Sequence, residues 1–123
     1  MEFATCLNCM DGRVQLPVIN WIRENYIVKF VDMITEPGID GIISDKNNIE
    51  TIIEKIKISL YKHNSNIIFL AGHYDCAGNP VDDKTHKENI SKGVERLKQI
   101  FPTFSIIGLW VSKRWIVEKI IEL

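Results

Sequence analysis

Short apolar runs alternate with helical stripes along this chain. Phe3 to Leu7 is a strand-like run that stops at the polar cluster Asn8 to Arg13. From Val14 to Tyr26 the apolar residues Val18, Ile19, Ile22 and Tyr26 recur on one face, which predicts a helix. Pro17 sits early enough in that helix to be tolerated near its first turn. Ile27 to Ile34 is β-branched and bounded by Thr35-Glu36-Pro37-Gly38, so it is expected to be a second strand. A loop is expected next, with Gly38, Gly41 and the turn-forming stretch Asp45 to Asn48, and Asn48 is the expected cap of the helix that follows. In that helix Ile49, Ile52, Ile53, Ile56 and Leu60 form the stripe, while Glu50, Glu54, Lys55 and Lys57 face away. Asn66 to Ala71 has the continuous apolar character of a buried strand and ends in Gly72 to Pro80. A third helix is expected over Asp83 to Phe101, with Ile90, Val94, Leu97 and Phe101 inward and Pro102 closing it. Thr103 to Val111 is the fourth strand. After Ser112-Lys113-Arg114, residues 115–121 fit either a hairpin strand or a terminal helix; the β-branched and aromatic content of Trp115-Ile116-Val117 favours the strand.

This order predicts an α/β fold of three layers, a four-stranded parallel sheet with helices on both faces. Right-handed crossovers give the strand order 2-1-3-4, with an antiparallel fifth strand at the edge. No repeat, linker or low-complexity tract divides residues 1–123, so a single domain is expected. In such a sheet ligands bind beyond the carboxyl ends of the strands where the order reverses, here between strands 1 and 3. The clusters Asn8 to Arg13 and Gly72 to Pro80 leave those two strand ends.

Composition narrows the function classes. The chain is 46% hydrophobic and 25% charged, too apolar for disorder. Fifteen Lys and Arg (15 in all) against 16 Asp and Glu give a net charge of −1, which offers no electrostatic footprint for nucleic acid or an anionic membrane. No apolar run approaches the roughly 18 residues of a membrane helix. Met1-Glu2-Phe3-Ala4 does not open like a signal peptide. Three cysteines, an odd number, favour metal or catalytic use in a reducing compartment, and a cytoplasmic location is expected.

The predicted sheet order brings Cys9, at the end of strand 1, beside His73 and Cys76, spaced H-x-x-C at the end of strand 3. Two thiolates and an imidazole suit Zn²⁺ in tetrahedral coordination. Three protein ligands leave a fourth position for water or for Asp11, and an open zinc site lowers the pKa of its water to about 7. Asp11 and Arg13 can project from one side of a turn, where the arginine fork would hold the carboxylate ionised. The carboxylate could then orient a zinc-bound hydroxide, or leave the arginine and close the site.

Cys9-Met10-Asp11-Gly12-Arg13 followed by Gly72-His73-Tyr74-Asp75-Cys76 resembles the β-class carbonic anhydrases, which carry C-x-D-x-R after the first core strand and H-x-x-C after the third. Within that class the chain looks most like the small carbonic anhydrase-like proteins of prokaryotes. The resemblance extends to the strand–helix order and to Gly108-Leu109-Trp110-Val111 leading into a last strand. It implies zinc on Cys9, His73 and Cys76, with Asp11 and Arg13 as a catalytic dyad. The implied reaction is the reversible hydration of carbon dioxide to bicarbonate by a zinc-bound hydroxide, in a homodimer or higher homo-oligomer. Four departures stand out. Gly12 replaces the usual Ser, Ala77 precedes Gly78 where Gly usually follows the cysteine directly, Thr35-Glu36-Pro37-Gly38 replaces R-N-A-G, and no counterpart of the family's N-terminal helical arm is expected ahead of Phe3. The altered pocket wall leaves two other readings open, a zinc hydrolase of another small electrophile and a non-catalytic zinc-stabilised binding or sensor module.

Bland readings compete elsewhere. Cys6 is expected to be core packing rather than a fourth ligand, because it lies inside strand 1 on the face opposite Cys9. The C-x3-R spacing of Cys9 and Arg13 is too short for a phosphatase loop. Tyr74 and Asp75 sit between two candidate ligands and fit either contact with the site or exposure. Glu36 could bond Arg13 or merely start a turn. His63 and His86 are expected to be solvated. Trp21, Trp110 and Trp115 are expected in the core or an interface, since no basic surface accompanies them.

Overall fold

The computed structural model describes residues 2–123. Its elements run β1 (Phe3–Asn8), α1 (Gln15–Asn25), β2 (Phe30–Thr35), α2 (Ile39–Asp45), α3 (Glu50–Lys62), β3 (Ile67–His73), α4 (Asp83–Ile100), β4 (Ser105–Val111) and β5 (Val117–Glu122), with a 3-10 turn over Gly12–Val14. The sheet order is β2-β1-β3-β4-β5. β1 pairs with β2 and with β3 in parallel, β3 pairs with β4 in parallel, and β5 is antiparallel to β4. The expected 2-1-3-4 order and antiparallel edge are therefore found, and residues 115–121 resolve as a hairpin followed by a strand rather than a helix.

The layers follow from the crossovers. The step from β1 to β2 runs opposite to the later steps, so a constant right hand puts α1 alone on one face and α2, α3 and α4 on the other. The core divides accordingly. Leu7, Ile34, Ile68, Leu70 and Ile106 pack under α2, α3 and α4, while Cys6, Phe69, Ala71, Ile107 and Leu109 pack under α1 through Val14, Val18 and Ile22. β3 is buried over its whole length, as a strand covered on both faces must be, whereas the edge strands β2 and β5 are half open. Cys6 is fully buried in this packing, as expected, and burial raises its thiol pKa far above the ordinary range.

Several boundaries differ from expectation. Residues 39–45 form α2 rather than a loop: Ile39 and Ile43 are buried on its inner face with Ile42 packed beside them, a stripe too short to read as a helix in sequence. α3 has Ile49 at its N-cap position with no side-chain cap bond, so Asn48 does not cap it. α1 ends at Asn25, and β2 starts only at Phe30, since Ile27 is 97% exposed and Val28 alone turns inward. No helix among the described residues is long and apolar enough to cross a membrane.

Candidate metal centre

β1 and β3 lie side by side, and their carboxyl ends carry the polar clusters singled out above. Cys9 follows the last residue of β1, His73 is the last residue of β3, and Cys76 lies in the loop beyond it. All three side chains are buried. Their ligating atoms lie within 4.8 Å of one another, and the two sulfurs are 3.9 Å apart. Two thiolates on one tetrahedral zinc at about 2.3 Å each stand about 3.8 Å apart, so the sulfur spacing fits that ion.

The histidine is oriented for ligation. Its Nδ1 lies 2.7 Å from the Tyr74 carbonyl, which can only accept, so Nδ1 carries the proton and the lone pair of a neutral ring resides on Nε2. That Nε2 is buried and, like Nε2 of His86, has no hydrogen-bond partner among the described residues; only at His73 do thiols stand beside it. A buried ring nitrogen without a partner is costly, and an ion shared with the neighbouring thiols removes the cost.

The sulfurs are met by backbone donors. The Gly38 N–H points at Cys9 Sγ over 3.5 Å, and the Gly78 and Asn79 N–H groups favour the charged form of Cys76. Burial nevertheless dominates at Cys76, assisted by the neighbouring Cys9, and pushes its thiol up to about 11. Glycine is required where the two loops meet. Gly38 has φ +63°, and a Cβ there would stand 2.5 Å from the Gly78 carbonyl carbon. A Cβ on Gly78 would stand 2.5 Å from the Pro37 carbonyl carbon. These contacts were not foreseen in the sequence; the only hints were glycines in the segments after β2 and β3.

Asp11 and Arg13 lie beside the thiol–imidazole group. Asp11 caps the 3-10 turn, its Oδ1 accepting from the Arg13 backbone N–H at 2.9 Å. The guanidinium holds the same carboxylate through Nε at 3.1 Å to Oδ1 and Nη2 at 2.7 Å to Oδ2. These hydrogen bonds pull Asp11 down to about 2 and raise Arg13 further. In this arrangement the carboxylate is engaged by the arginine. Gln15 steadies the turn by donating to the carbonyls of Cys9 and Asp11, and Asn8 does so by donating to Val14.

The residues left open in sequence sort as follows. Asp75 bonds Arg13, from Nη1 to its carboxylate and from Nη2 to its carbonyl. Glu36 pairs with Lys55 at 3.7 Å rather than with Arg13. His63 is half-exposed, as expected of a helix end, and contacts Asp32 at 2.7 Å. His86 is not solvated: it is 1% exposed and bonded to the equally buried Asp40 across α2 and α4. The sequence reading missed this pair because it treated α2, which supplies Asp40, as a loop.

Comparison with known proteins follows the same lines. Residues 1–121 match the family described as "Putative carbonic anhydrase". No curated protein matches the sequence closely enough to count as a relative. Among solved structures, the β-carbonic anhydrase isoform I of Trichomonas vaginalis superposes with a TM-score of 0.62 at 18% identity, over 98% of this chain and 81% of that one. One of two tetrameric β-carbonic anhydrases from Sordaria macrospora gives 0.65 at 12% identity, over 98% and 80%. The carbonic anhydrase of Glaciozyma antarctica gives 0.64 at 16%, over 94% and 80%. Identities this low speak for the fold, and the family match over nearly the whole chain goes further. With the order 2-1-3-4-5, two strand ends that converge on Cys9, His73 and Cys76, and that match, the chain belongs to the carbonic anhydrase family, in its β-class fold.

Proposed function

We propose that this chain is a zinc-dependent carbonic anhydrase that interconverts carbon dioxide and bicarbonate, with Cys9, His73 and Cys76 as the metal ligands and Asp11 and Arg13 as the catalytic dyad. The observation that carries the reading is the convergence of Cys9, His73 and Cys76, whose ligating atoms lie within 4.8 Å of one another, with His73 Nε2 buried and without a hydrogen-bond partner among the described residues. A bound zinc ion supplies Lewis acidity, which lowers the pKa of water to about 7 and makes a nucleophile available at neutral pH.

The remaining work falls to the chain's own residues. An ionised carboxylate offers about four acceptor sites. Arg13 engages Asp11 with three N–H donors, the backbone N–H on Oδ1, Nε–H shared between Oδ1 and Oδ2, and Nη2–H on Oδ2, which leaves one of the four acceptor sites, on Oδ2, for an O–H of the reacting water. Accepting that hydrogen fixes the direction of the oxygen lone pair toward the substrate. Arg13 keeps the carboxylate ionised and engaged. The Tyr74 carbonyl keeps the His73 Nε2 lone pair free for the metal.

The unit is proposed to act as one domain in the cytoplasm and as a homo-oligomer. Met10, Leu16 and Ile116 support the oligomer: they are well exposed apolar side chains adjacent in sequence to Cys9, Gln15 and Trp115, and a second copy would cover them. The test is stopped-flow carbon dioxide hydration from pH 6.5 to about 9 on protein carrying one zinc per chain. A rate rising with an apparent pKa near 7 supports the proposal. No rate above buffer with zinc present overturns it, in favour of another small electrophile or a closed, non-catalytic site.

A further inference from the structure

Arg13 is held from three sides, and two of the residues that hold it have unusual backbones. Asp11 takes one edge of the guanidinium. Asp75 takes the other, 3.2 Å from Nη1. The guanidinium carbon also stands over the Trp115 indole, 4.7 Å from the ring centroid. Among the described residues, three other than glycine have positive φ: Asn64 at 57°, Asp75 at 57° and Trp115 at 60°. Two of the three grip the same arginine.

Asp tolerates the left-handed region, but a tryptophan there is an outlier. Trp115 ends the tight turn between β4 and β5, where its N–H bonds the Ser112 carbonyl at 2.8 Å and the Ser112 N–H bonds the Ile116 carbonyl at 3.0 Å. Such a position in a hairpin loop is ordinarily filled by glycine, which adopts it without steric cost. The turn therefore gains nothing from this side chain. Nor is the indole simply filling the core, since Trp115 remains partly exposed at the edge of the α1-side cluster. Strained residues of this kind persist where their side chains are held to a task.

We propose that Trp115 is a positioning residue for the Asp11–Arg13 dyad. The Arg13 side chain is 46% exposed and that of Asp75 is 68% exposed, so the ion pair between them is readily exchanged for water and makes a weak clamp. The guanidinium carbon stands over the indole ring, where a cation–π contact restrains a group that would otherwise swing into solvent. With Arg13 restrained, Asp11 stays in the dyad and does not move onto the Cys9, His73 and Cys76 group. This inference rests on the reading of the site given under Proposed function.

The test compares the zinc-loaded 123-residue chain with its Trp115→Gly and Trp115→Phe variants. Glycine suits φ +60°, so the first variant keeps the turn while removing the ring. The direct readout is the Arg13 Nε–H resonance, followed by solvent exchange and by its ring-current displacement. Trp115→Gly is expected to speed that exchange about tenfold, within the range of a cation–π contact, and to lower kcat by a similar factor with KM and zinc content unchanged. Trp115→Phe is expected to restore both to within about threefold, because it keeps an aromatic face. An Arg13 signal in Trp115→Gly with the wild-type shift and exchange overturns the proposal. So does unchanged kcat in that variant once Arg13 is loosened. The exchange measurement needs no turnover. If wild type fails to hydrate carbon dioxide, the proposed activity falls while the clamp is still judged by the Arg13 signal.

Discussion

Arg13 and Asp11 are joined four times over within one turn of chain: backbone N–H to Oδ1, Nε to both Oδ1 and Oδ2, and Nη2 to Oδ2, the last at 2.7 Å. Only the side-chain bonds are lost in Arg13→Ala, and the cap of the 3-10 turn survives. The freed carboxylate then lies two residues from Cys9, where a bound metal would attract it. Turnover is expected to fall about 100-fold, the loss typical of a misplaced catalytic group, while zinc stays at one per chain. Undiminished kcat in this variant, measured beside zinc content, would remove the dyad from the mechanism.

The ligand assignment is tested separately. Cys9→Ser and Cys76→Ser each replace a soft thiolate donor by a hydroxyl that stays protonated at neutral pH. Each is expected to abolish stoichiometric zinc uptake, read by elemental analysis after dialysis. Full occupancy in either variant would sink the assignment, whatever happened to activity.

Zinc uptake should also depend on pH, with a sign fixed by Cys76. Its thiol is pushed up to about 11 by burial, so the metal-free protein holds that proton at pH 7. Zinc must displace it, and zinc affinity is expected to climb steadily from pH 6 to 9. The metal-free fold responds in the opposite direction. A thiol pKa raised from about 9 gives stability that is complete below pH 9 and is lost as pH rises through 11. Zinc titration and urea unfolding across pH check the two halves. Affinity that is flat with pH would show that no buried thiol gives up its proton.

Much of this architecture was legible because it depends on long, regular signals. The stripe of Ile52, Ile53, Ile56 and Leu60 and the unbroken burial of β3 each specify an element on their own. The convergence of Cys9 with His73 then follows from topology alone, because adjacent parallel strands carry their carboxyl ends together. What escaped was set by contacts between distant segments. The α2 stripe spans seven residues and becomes a helix only where Ile39 and Ile43 meet the core. The buried state of His86 depends on Asp40 lying across from it, and the surroundings of His86 in sequence, Lys84, Lys87 and Glu88, resemble a solvated face. Nothing local distinguishes Trp115 either, since its backbone angle and its arginine are products of the hairpin meeting the turn after β1.

Gly38 offers a prediction that couples packing to chemistry. Its α carbon lies against the Gly78 backbone, and its N–H points at Cys9 Sγ. Gly38→Ala would force a Cβ into backbone at 2.5 Å from a residue whose φ already disfavours a side chain. The loops carrying Cys9 and Cys76 must then separate. The expected result is a destabilisation of about 2 kcal/mol or more together with at least a tenfold weaker zinc affinity. Wild-type zinc affinity in a folded Gly38→Ala protein would show that the contact between the loops does not set the sulfur spacing.

The Asp40–His86 pair makes the strongest stability prediction, because both side chains are almost fully buried and the Nδ1–Oδ2 distance is 2.5 Å. Asn79 completes the network by donating to Asp40 Oδ1 and to Asn89, which ties the loop after Cys76 to α2 and α4. Removing one partner strands the other without solvent, a loss of about 3–5 kcal/mol for a buried pair. His86→Leu and Asp40→Leu are each expected to destabilise on that scale, whereas the double variant should lose far less than the sum, since neither unpaired polar group remains. Urea unfolding of the four proteins in a double-mutant cycle gives the coupling directly. Additive losses would mean that the two side chains are stabilised by their separate surroundings, with Trp110 5.5 Å from the His86 ring and Asn79 on Asp40, rather than by each other.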